Sequence, residues 1–150
     1  MKFQHQVTTQ ATRESLWAVL QDFPSVARCL PGVDEVRQVS DASYEGTLQV
    51  RIGPIGLRLT GTVDVEQDED AGLWRMTAQA LDPRVGGGAK ATIEAVISEL
   101  APNVAGLDIQ ADVQFIGRLG EMGQPLIRRK ADSMINDFAR NLERLATEKE

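Results

Sequence analysis

Alternation of apolar and polar residues dominates the middle of the chain. Residues 57–60 read Leu-Arg-Leu-Thr, and residues 107–113 read Leu-Asp-Ile-Gln-Ala-Asp-Val. A period of two predicts β-strands with one apolar face and one polar face. The pattern predicts seven strands, at residues 2–8, 33–39, 43–52, 56–66, 73–81, 90–100 and 104–116.

The connections between the last six strands are short and rich in turn-forming residues, as in Gly53-Pro54-Ile55-Gly56 and Ala101-Pro102-Asn103. Connections this short predict antiparallel hairpins, because a parallel return needs a crossover of roughly a dozen residues. Three consecutive glycines at 86–88 are expected to form a mobile loop or a bulge between two strands.

Three helices complete the prediction. Thr12 can cap a short helix over residues 13–20, and Pro24 suits the start of a second that ends at residue 28. A long final helix is predicted over residues 123–145 from apolar positions three or four apart. Its apolar stripe comprises Ile127, Ala131, Met134, Phe138, Leu142 and Leu145.

These elements predict a single α+β domain over residues 1–150, with a seven-stranded curved antiparallel sheet wrapped on a long C-terminal helix. The two short helices lie between strands 1 and 2. The apolar face of the sheet must be covered by another layer, and one helix is too narrow to fill a strongly curved sheet. The space beneath the helix is therefore either filled by side chains or left hollow.

Small residues on the apolar face leave both interpretations open. They allow the helix to pack closely at ordinary density, or they leave an apolar cavity that Met76, Met122 and Met134 would line adaptably. The small residues of this face are Gly46, Gly61, Ala78, Ala80, Ala91, Ala95 and Ala111.

Composition and charge narrow the function. The net charge of −6 and the lack of an aromatic-basic cluster argue against a nucleic-acid partner. Cys29 is the only cysteine, so no intramolecular disulfide is expected. The first residues lack the apolar core of a signal peptide, and no stretch approaches the roughly 20 apolar residues of a membrane span. We therefore expect a cytoplasmic protein without an integral membrane segment.

Residues suited to chemistry are few. His5 is the only histidine, and Cys29 has no neighbouring base in the sequence. Residues 68–70, Asp-Glu-Asp, resemble a solvated hairpin tip, and the glycines at 86–88 lack the Lys-Ser/Thr of a P-loop. We predict no catalytic residue, no metal site and no cofactor, and hence a protein that is not an enzyme.

Several local motifs resemble a known family. They are Ser-Leu-Trp-Ala-Val-Leu-Gln-Asp at 15–22, Cys-Leu-Pro-Gly-Val at 29–33, Gly-Pro-Ile at 53–55 and Gly-Arg-Leu-Gly-Glu-Met-Gly at 117–123. Together with the element order, they resemble the helix-grip fold of the START/Bet v 1-like (SRPBCC) superfamily. More specifically, the chain is similar to the CoxG family of carbon monoxide dehydrogenase subunits.

The resemblance implies a non-catalytic accessory protein that binds a hydrophobic ligand, a quinone or a lipid, between the sheet and the C-terminal helix. It also implies association with a molybdenum hydroxylase of the CO dehydrogenase type and peripheral contact with the inner face of the membrane. Alternation and the helix stripe together predict the lining residues, which are Leu48, Val50, Leu59, Trp74, Met76, Ile93, Ile97, Ile109, Val113, Met134 and Phe138.

Two alternatives remain from the sequence. A cyclase or aromatase of the same superfamily would need a polar cluster in the cavity, such as Tyr44 with Arg75 or His5. An assembly or recruitment factor with a filled core would bind its partner by its surface and no ligand at all.

Overall fold

The computed structural model describes residues 1–121 and 123–149; Met122, a predicted cavity liner, lies outside them. The elements follow in chain order: β1 (Lys2–Thr9), α1 (Arg13–Leu20), α2 (Phe23–Arg28), β2 (Val33–Ser40), β3 (Ser43–Ile52), β4 (Ile55–Asp68), β5 (Leu73–Asp82), β6 (Gly87–Ala101), β7 (Val104–Gly117), a 3₁₀ helix (Arg118–Glu121) and α3 (Gln124–Glu148).

All seven strands form one antiparallel sheet in the order β1-β7-β6-β5-β4-β3-β2. The predicted fold class is confirmed: a seven-stranded sheet, two short helices between β1 and β2, and one long C-terminal helix. Thr12 caps α1 as predicted, because its hydroxyl oxygen accepts a hydrogen bond from the Ser15 amide at 3.0 Å.

The glycine run was only partly understood from the sequence. Gly86 lies in the turn, but Gly87 and Gly88 belong to β6 and pair with both neighbouring strands. The expectation that all three glycines form a mobile loop or bulge was therefore wrong. A Cβ at Gly88 would lie 2.2 Å from the Ala80 carbonyl oxygen, so only glycine lets β6 approach β5 this closely.

Among the described residues, most of the buried apolar side chains form two separate clusters on the concave side of the sheet. We call the larger one the helical-end cluster: it lies among α1, α2, the second half of α3 and the neighbouring strands, and is represented by Leu16, Trp17, Trp74, Ile97, Leu107, Ile109 and Leu142. The smaller one, the turn-end cluster, lies near the start of α3 and consists of Ile52, Leu57, Leu59, Leu119 and Ile127.

Candidate functional site

The strand register gathers small residues in the middle of the concave face. One row across the sheet pairs Tyr44 with Val63, Val63 with Ala78, Ala78 with Ala91 and Ala91 with Val113. Directly paired residues point to the same face, so these side chains form a continuous floor. The next row toward the turn-end cluster is smaller still and consists of Gly46, Gly61, Ala80, Ala89 and Phe115.

The middle of α3 lies across from this floor and is incompletely covered. Ile127 near its start is buried, and so are Ala139 and Leu142 in its second half. Met134 and Phe138, which lie on the apolar stripe between or beside these positions, are only half-buried. Apolar side chains on the inner face of a packed helix would be fully covered at normal interior density.

Contacts of α3 with the sheet explain this exposure. Within the described residues, α3 approaches α1, β1 and β3 closely but makes no comparable approach to β4, β5, β6 or β7. The helix thus spans the sheet from one side to the other. It packs on the middle strands through the two clusters near its ends, and the apolar residues between these clusters are only half-buried. We call the intervening region the central gap; Ala78, Ala91 and Val113 lie on its sheet side and Met134 on its helix side.

The predicted lining residues divide into three groups around the central gap. Val113 and Met134 are half-buried and belong to neither buried cluster. Five others are half-buried at the edges of a cluster: Leu48 and Val50 beside the turn-end cluster, and Met76, Ile93 and Phe138 beside the helical-end cluster. The remaining four are buried inside a cluster: Leu59, Trp74, Ile97 and Ile109.

Polar contacts hold α3 to the edge strand β1. His5 Nε2 lies 3.1 Å from Asp132 Oδ1, and His5 Nδ1 lies 3.1 Å from Asn136 Oδ1. One turn earlier, the Arg128 guanidinium donates to the Lys2 carbonyl oxygen at 3.1 Å and lies 4.7 Å from the ring centroid of Phe3. On the opposite side, Leu126 lies against Gly53 at the β3–β4 turn.

The polar cluster that a cyclase would need is not brought together. Arg75 lies on the outer face of the sheet, where it pairs with Glu94 at 2.9 Å and Glu66 at 3.7 Å. Tyr44 stacks on Phe23 with ring centroids 4.4 Å apart. His5 is engaged at the seam between β1 and α3, so none of the three side chains meets another.

Two groups have shifted pKa values, and in each case the neighbouring residues explain the direction of the shift. Hydrogen bonds from the Arg84 side chain and from the Arg58 and Arg84 amides hold the pKa of Asp82 well below its usual range. Burial raises the pKa of the Cys29 thiol to about 11, against a smaller opposing effect of Arg144. Such a thiol is protonated at neutral pH and is a poor nucleophile.

A second depression lies on the outer face of the sheet. It is an open groove of about 680 Å³, and its lining includes the polar residues Thr77, Gln79, Lys90, Gln110 and Gln114 together with Ala78 and Ala91. Ligand sites for apolar molecules are mostly apolar, so the apolar side chains beside the central gap suit such a ligand better than the polar side chains of this groove.

Among the residues described, no three His, Cys, Asp or Glu side chains gather as a metal site would require. No described helix has both the length and the apolar character needed to cross a bilayer.

The sequence interpretation missed two features of the site. Ile135 is half-buried against the helical-end cluster, although it lies four residues after Ala131 and three before Phe138, a spacing that could have placed it on the stripe. The pairing of His5 with Asp132 joins residues 127 positions apart, and no local pattern signals it.

Comparison with solved structures shows which fold the chain has. A conserved protein from Geobacillus kaustophilus has a TM-score of 0.88 at 15% identity, covering 99% of this chain and 96% of that chain. A START superfamily protein from Mycobacterium smegmatis has a TM-score of 0.70 at 13% identity, covering 99% of both chains. The Zhui aromatase/cyclase from Streptomyces sp. R1128 has a TM-score of 0.69 at 16% identity, covering 98% of this chain and 93% of that chain. The fold is thus the START/Bet v 1-like helix grip.

The sequence defines the family within that class. The profile of the CoxG family of carbon monoxide dehydrogenase subunits matches residues 6–147. The chain therefore belongs to the CoxG family. Among curated proteins, none matches the chain.

Proposed function

We propose that this protein carries an apolar small molecule, a quinone or a lipid, in the central gap between α3 and the sheet. The observation that carries the proposal is that Val113 and Met134 are only half-buried and belong to neither buried cluster. Val113 lies on the sheet side of the gap and Met134 on its helix side. Unfilled apolar space is costly in a protein core and is a common setting for ligands.

The chemistry of the lining supports an apolar ligand. Half-buried Met76, Ile93 and Phe138 surround the gap and offer no charge. Binding would come from removing apolar ligand surface from water, at roughly 25 cal/mol per Å² before the costs of association are subtracted. Methionines at the edge would adapt to the shape of the ligand, because their side chains are unbranched and polarisable.

The direct test is to look for a bound molecule. Native mass spectrometry after gentle lysis should find a co-purifying apolar compound, and added menaquinone should raise the melting temperature of protein stripped of that compound. The absence of both effects would contradict the carrier proposal. Bovine serum albumin treated in parallel controls for nonspecific uptake of menaquinone.

Membership of the CoxG family supports a partner of the CO dehydrogenase type, a molybdenum hydroxylase to which the ligand would be delivered. The test is a titration of purified CO dehydrogenase with this protein by interferometry. Saturable binding that survives substitution of Met134 would separate partner recognition from ligand binding. No binding at any accessible concentration would contradict the partnership.

We propose that peripheral contact with the inner face of the membrane uses the turn end of the sheet. Ile55 and Leu126 are exposed there, at 36% and 37%, although the protein is acidic overall. Exposed arginines lie on the neighbouring segments, namely Arg51 on β3, Arg118 in the 3₁₀ helix and Arg129 one turn after Leu126, with exposed Glu121 among them. Apolar side chains with arginines nearby suit an anionic lipid surface.

Vesicles test this contact directly. Co-sedimentation should be stronger with vesicles containing phosphatidylglycerol than with pure phosphatidylcholine, and it should weaken with salt because the charges are exposed. Leu126→Glu with Arg129→Glu should remove binding, whereas Arg37→Glu on β2, away from this end, should not. Equal binding by both variants would contradict the placement.

An enzymatic role of the cyclase type is the second candidate. The fold is shared with the Zhui aromatase/cyclase, and His5 and Asp132 form an imidazole–carboxylate pair. This pair sits at the seam, with the Asp132 side chain 42% exposed, rather than among the apolar residues of the gap. We therefore rank catalysis below ligand carriage.

A further inference from the structure

We infer that the Tyr44 hydroxyl is the polar contact that orients the ligand, so that the gap selects an apolar molecule bearing a hydrogen-bonding oxygen such as a carbonyl. This inference rests on the proposed function, because it assigns a role within the same cavity. It follows from accounting for the polar side chains on the concave face.

Tyr44 belongs to the floor of the central gap by its register. It pairs with Val63, and the same row continues through Ala78 and Ala91 to Val113. The side chains beyond Tyr44 are apolar and mostly small. On its other side Tyr44 pairs with Gln38 of β2, which is exposed and donates to the Asp41 carbonyl oxygen at 3.4 Å. Tyr44 is thus the polar residue of this row that adjoins its apolar part.

The ring of Tyr44 is held in place by α2. It stacks on Phe23 at a centroid distance of 4.4 Å and an interplanar angle of 28°. Phe23 is itself buried, with 6% of its surface exposed. Stacking covers a ring face and leaves the hydroxyl at the ring edge uncovered, so the hydroxyl is fixed in position without being used.

Four other polar side chains of this face are occupied or enclosed. His5 bonds to α3, and the Thr9 hydroxyl donates to the Ala105 carbonyl oxygen at 3.0 Å. Gln67 accepts a hydrogen bond from Gln21. The Trp74 indole nitrogen has no partner among the described residues, but the protein encloses it completely, so a ligand in the gap cannot reach it.

Tyr44 differs from these groups in both respects. In the part of the chain that the structure describes, the Tyr44 hydroxyl makes no hydrogen bond, and the protein does not enclose it completely. A phenol hydroxyl can donate to a carbonyl oxygen or accept from a hydroxyl. Inside an apolar cavity a single such group fixes the orientation of the ligand.

A matched pair of ligands tests the inference. Menadione and 2-methylnaphthalene share a ring skeleton and differ by two carbonyl groups. Tyr44→Phe keeps the ring that stacks on Phe23 and removes only the hydroxyl. We expect it to weaken menadione binding roughly three- to tenfold, the worth of one net hydrogen bond, and to leave 2-methylnaphthalene binding unchanged. Thr77→Val, which removes a hydroxyl from the outer face, should alter neither affinity.

The outcomes separate this inference from the proposed function. If Tyr44→Phe binds menadione as tightly as the wild type, or loses both ligands equally, the hydroxyl does not orient the ligand and the inference is overturned while the carrier proposal stands. If the wild type binds neither compound nor menaquinone, the carrier proposal fails and the inference fails with it.

Discussion

His5 Nε2 on the first strand lies 3.1 Å from Asp132 Oδ1 on the last helix, across 127 residues of sequence. This pair, with Asn136 beside it, joins the edge of the sheet to the middle of α3, where Met134 and Phe138 are only half-buried. The polar contacts of His5 with Asp132 and Asn136 and the two clusters at the ends of α3 therefore position the helix over the gap. The apolar residues in the middle of the helix remain incompletely covered.

The His5–Asp132 pair should contribute modestly to stability. A hydrogen bond of this kind contributes about 1 kcal/mol net to the free energy of unfolding. Because Asp132 is partly exposed, solvent screening prevents the pair from contributing more than this. Urea unfolding of His5→Ala, Asp132→Ala and the double variant should give a coupling energy of about 0.5–1.5 kcal/mol. Gln4→Ala, on the outer face of the same strand, is the control and should change little. A coupling energy of zero would show that the pair does not hold the helix.

Two alanines of β6 distinguish a gap from a packed core. Ala91 is half-buried on the floor of the gap, whereas Ala95, two inward positions along the same strand, is 2% exposed in the helical-end cluster. Ala91→Phe should keep the stability near that of the wild type and abolish menaquinone binding. Ala95→Phe should cost about 1–3 kcal/mol from overpacking. Equal destabilisation by both changes, measured by urea unfolding, would mean that the space beneath α3 is filled.

Charge introduced into the lining should act differently at two of the predicted positions. Met134 is half-buried at the gap, so Met134→Arg should fold and lose the menaquinone-dependent rise in melting temperature. Ile109 is 2% exposed within the helical-end cluster, so Ile109→Arg would bury an unpaired charge and should prevent folding. Circular dichroism separates the two results. A folded Met134→Arg protein that still binds menaquinone would exclude Met134 from the lining.

Asp82 should make stability fall in acid. Its pKa is lowered in the folded protein, chiefly by the Arg84 side chain, which donates to its carboxylate at 2.9 and 3.1 Å. Its contribution is therefore present above the pKa of the unfolded carboxyl, about 3.9, and is lost as the pH falls below it toward the folded value. Asp82→Asn should lower the melting temperature by several degrees at pH 6, and this difference from the wild type should shrink below pH 4. A difference that is the same at both pH values would contradict the argument.

Cys29 should be unreactive in the folded protein. Burial raises the pKa of its thiol to about 11, and its sulfur donates to the Ser25 carbonyl oxygen at 3.3 Å. At pH 8 roughly one thiol in a thousand is ionised at that pKa. Labelling with a disulfide reagent should be slow in buffer and fast in urea, as followed by absorbance. Rapid labelling of the native protein would show that the thiol is exposed by local opening.

The sequence predicted the sheet well because alternation is a local signal that burial of one face enforces. Leu57 and Leu59 are buried and the intervening Arg58 is exposed, as their alternation indicated. The glycine pair at the start of β6 was misjudged because its role depends on how close β5 lies, which no local pattern reports. The predicted lining residues share a face as expected, yet four of them lie inside the packed clusters, because position along a strand does not reveal which rows of the sheet the helices cover.

What the sequence determined by itself was the set of strands and helices, the apolar face of each, and the family, since periodicity and local motifs are written in neighbouring residues. The tertiary structure decided which rows of the sheet α3 covers, that His5 meets Asp132, and that the Tyr44 ring stacks on Phe23 while its hydroxyl makes no hydrogen bond among the described residues. These depend on contacts between distant segments and on the curvature of a whole sheet, and such distances are set only when all of the elements pack at once.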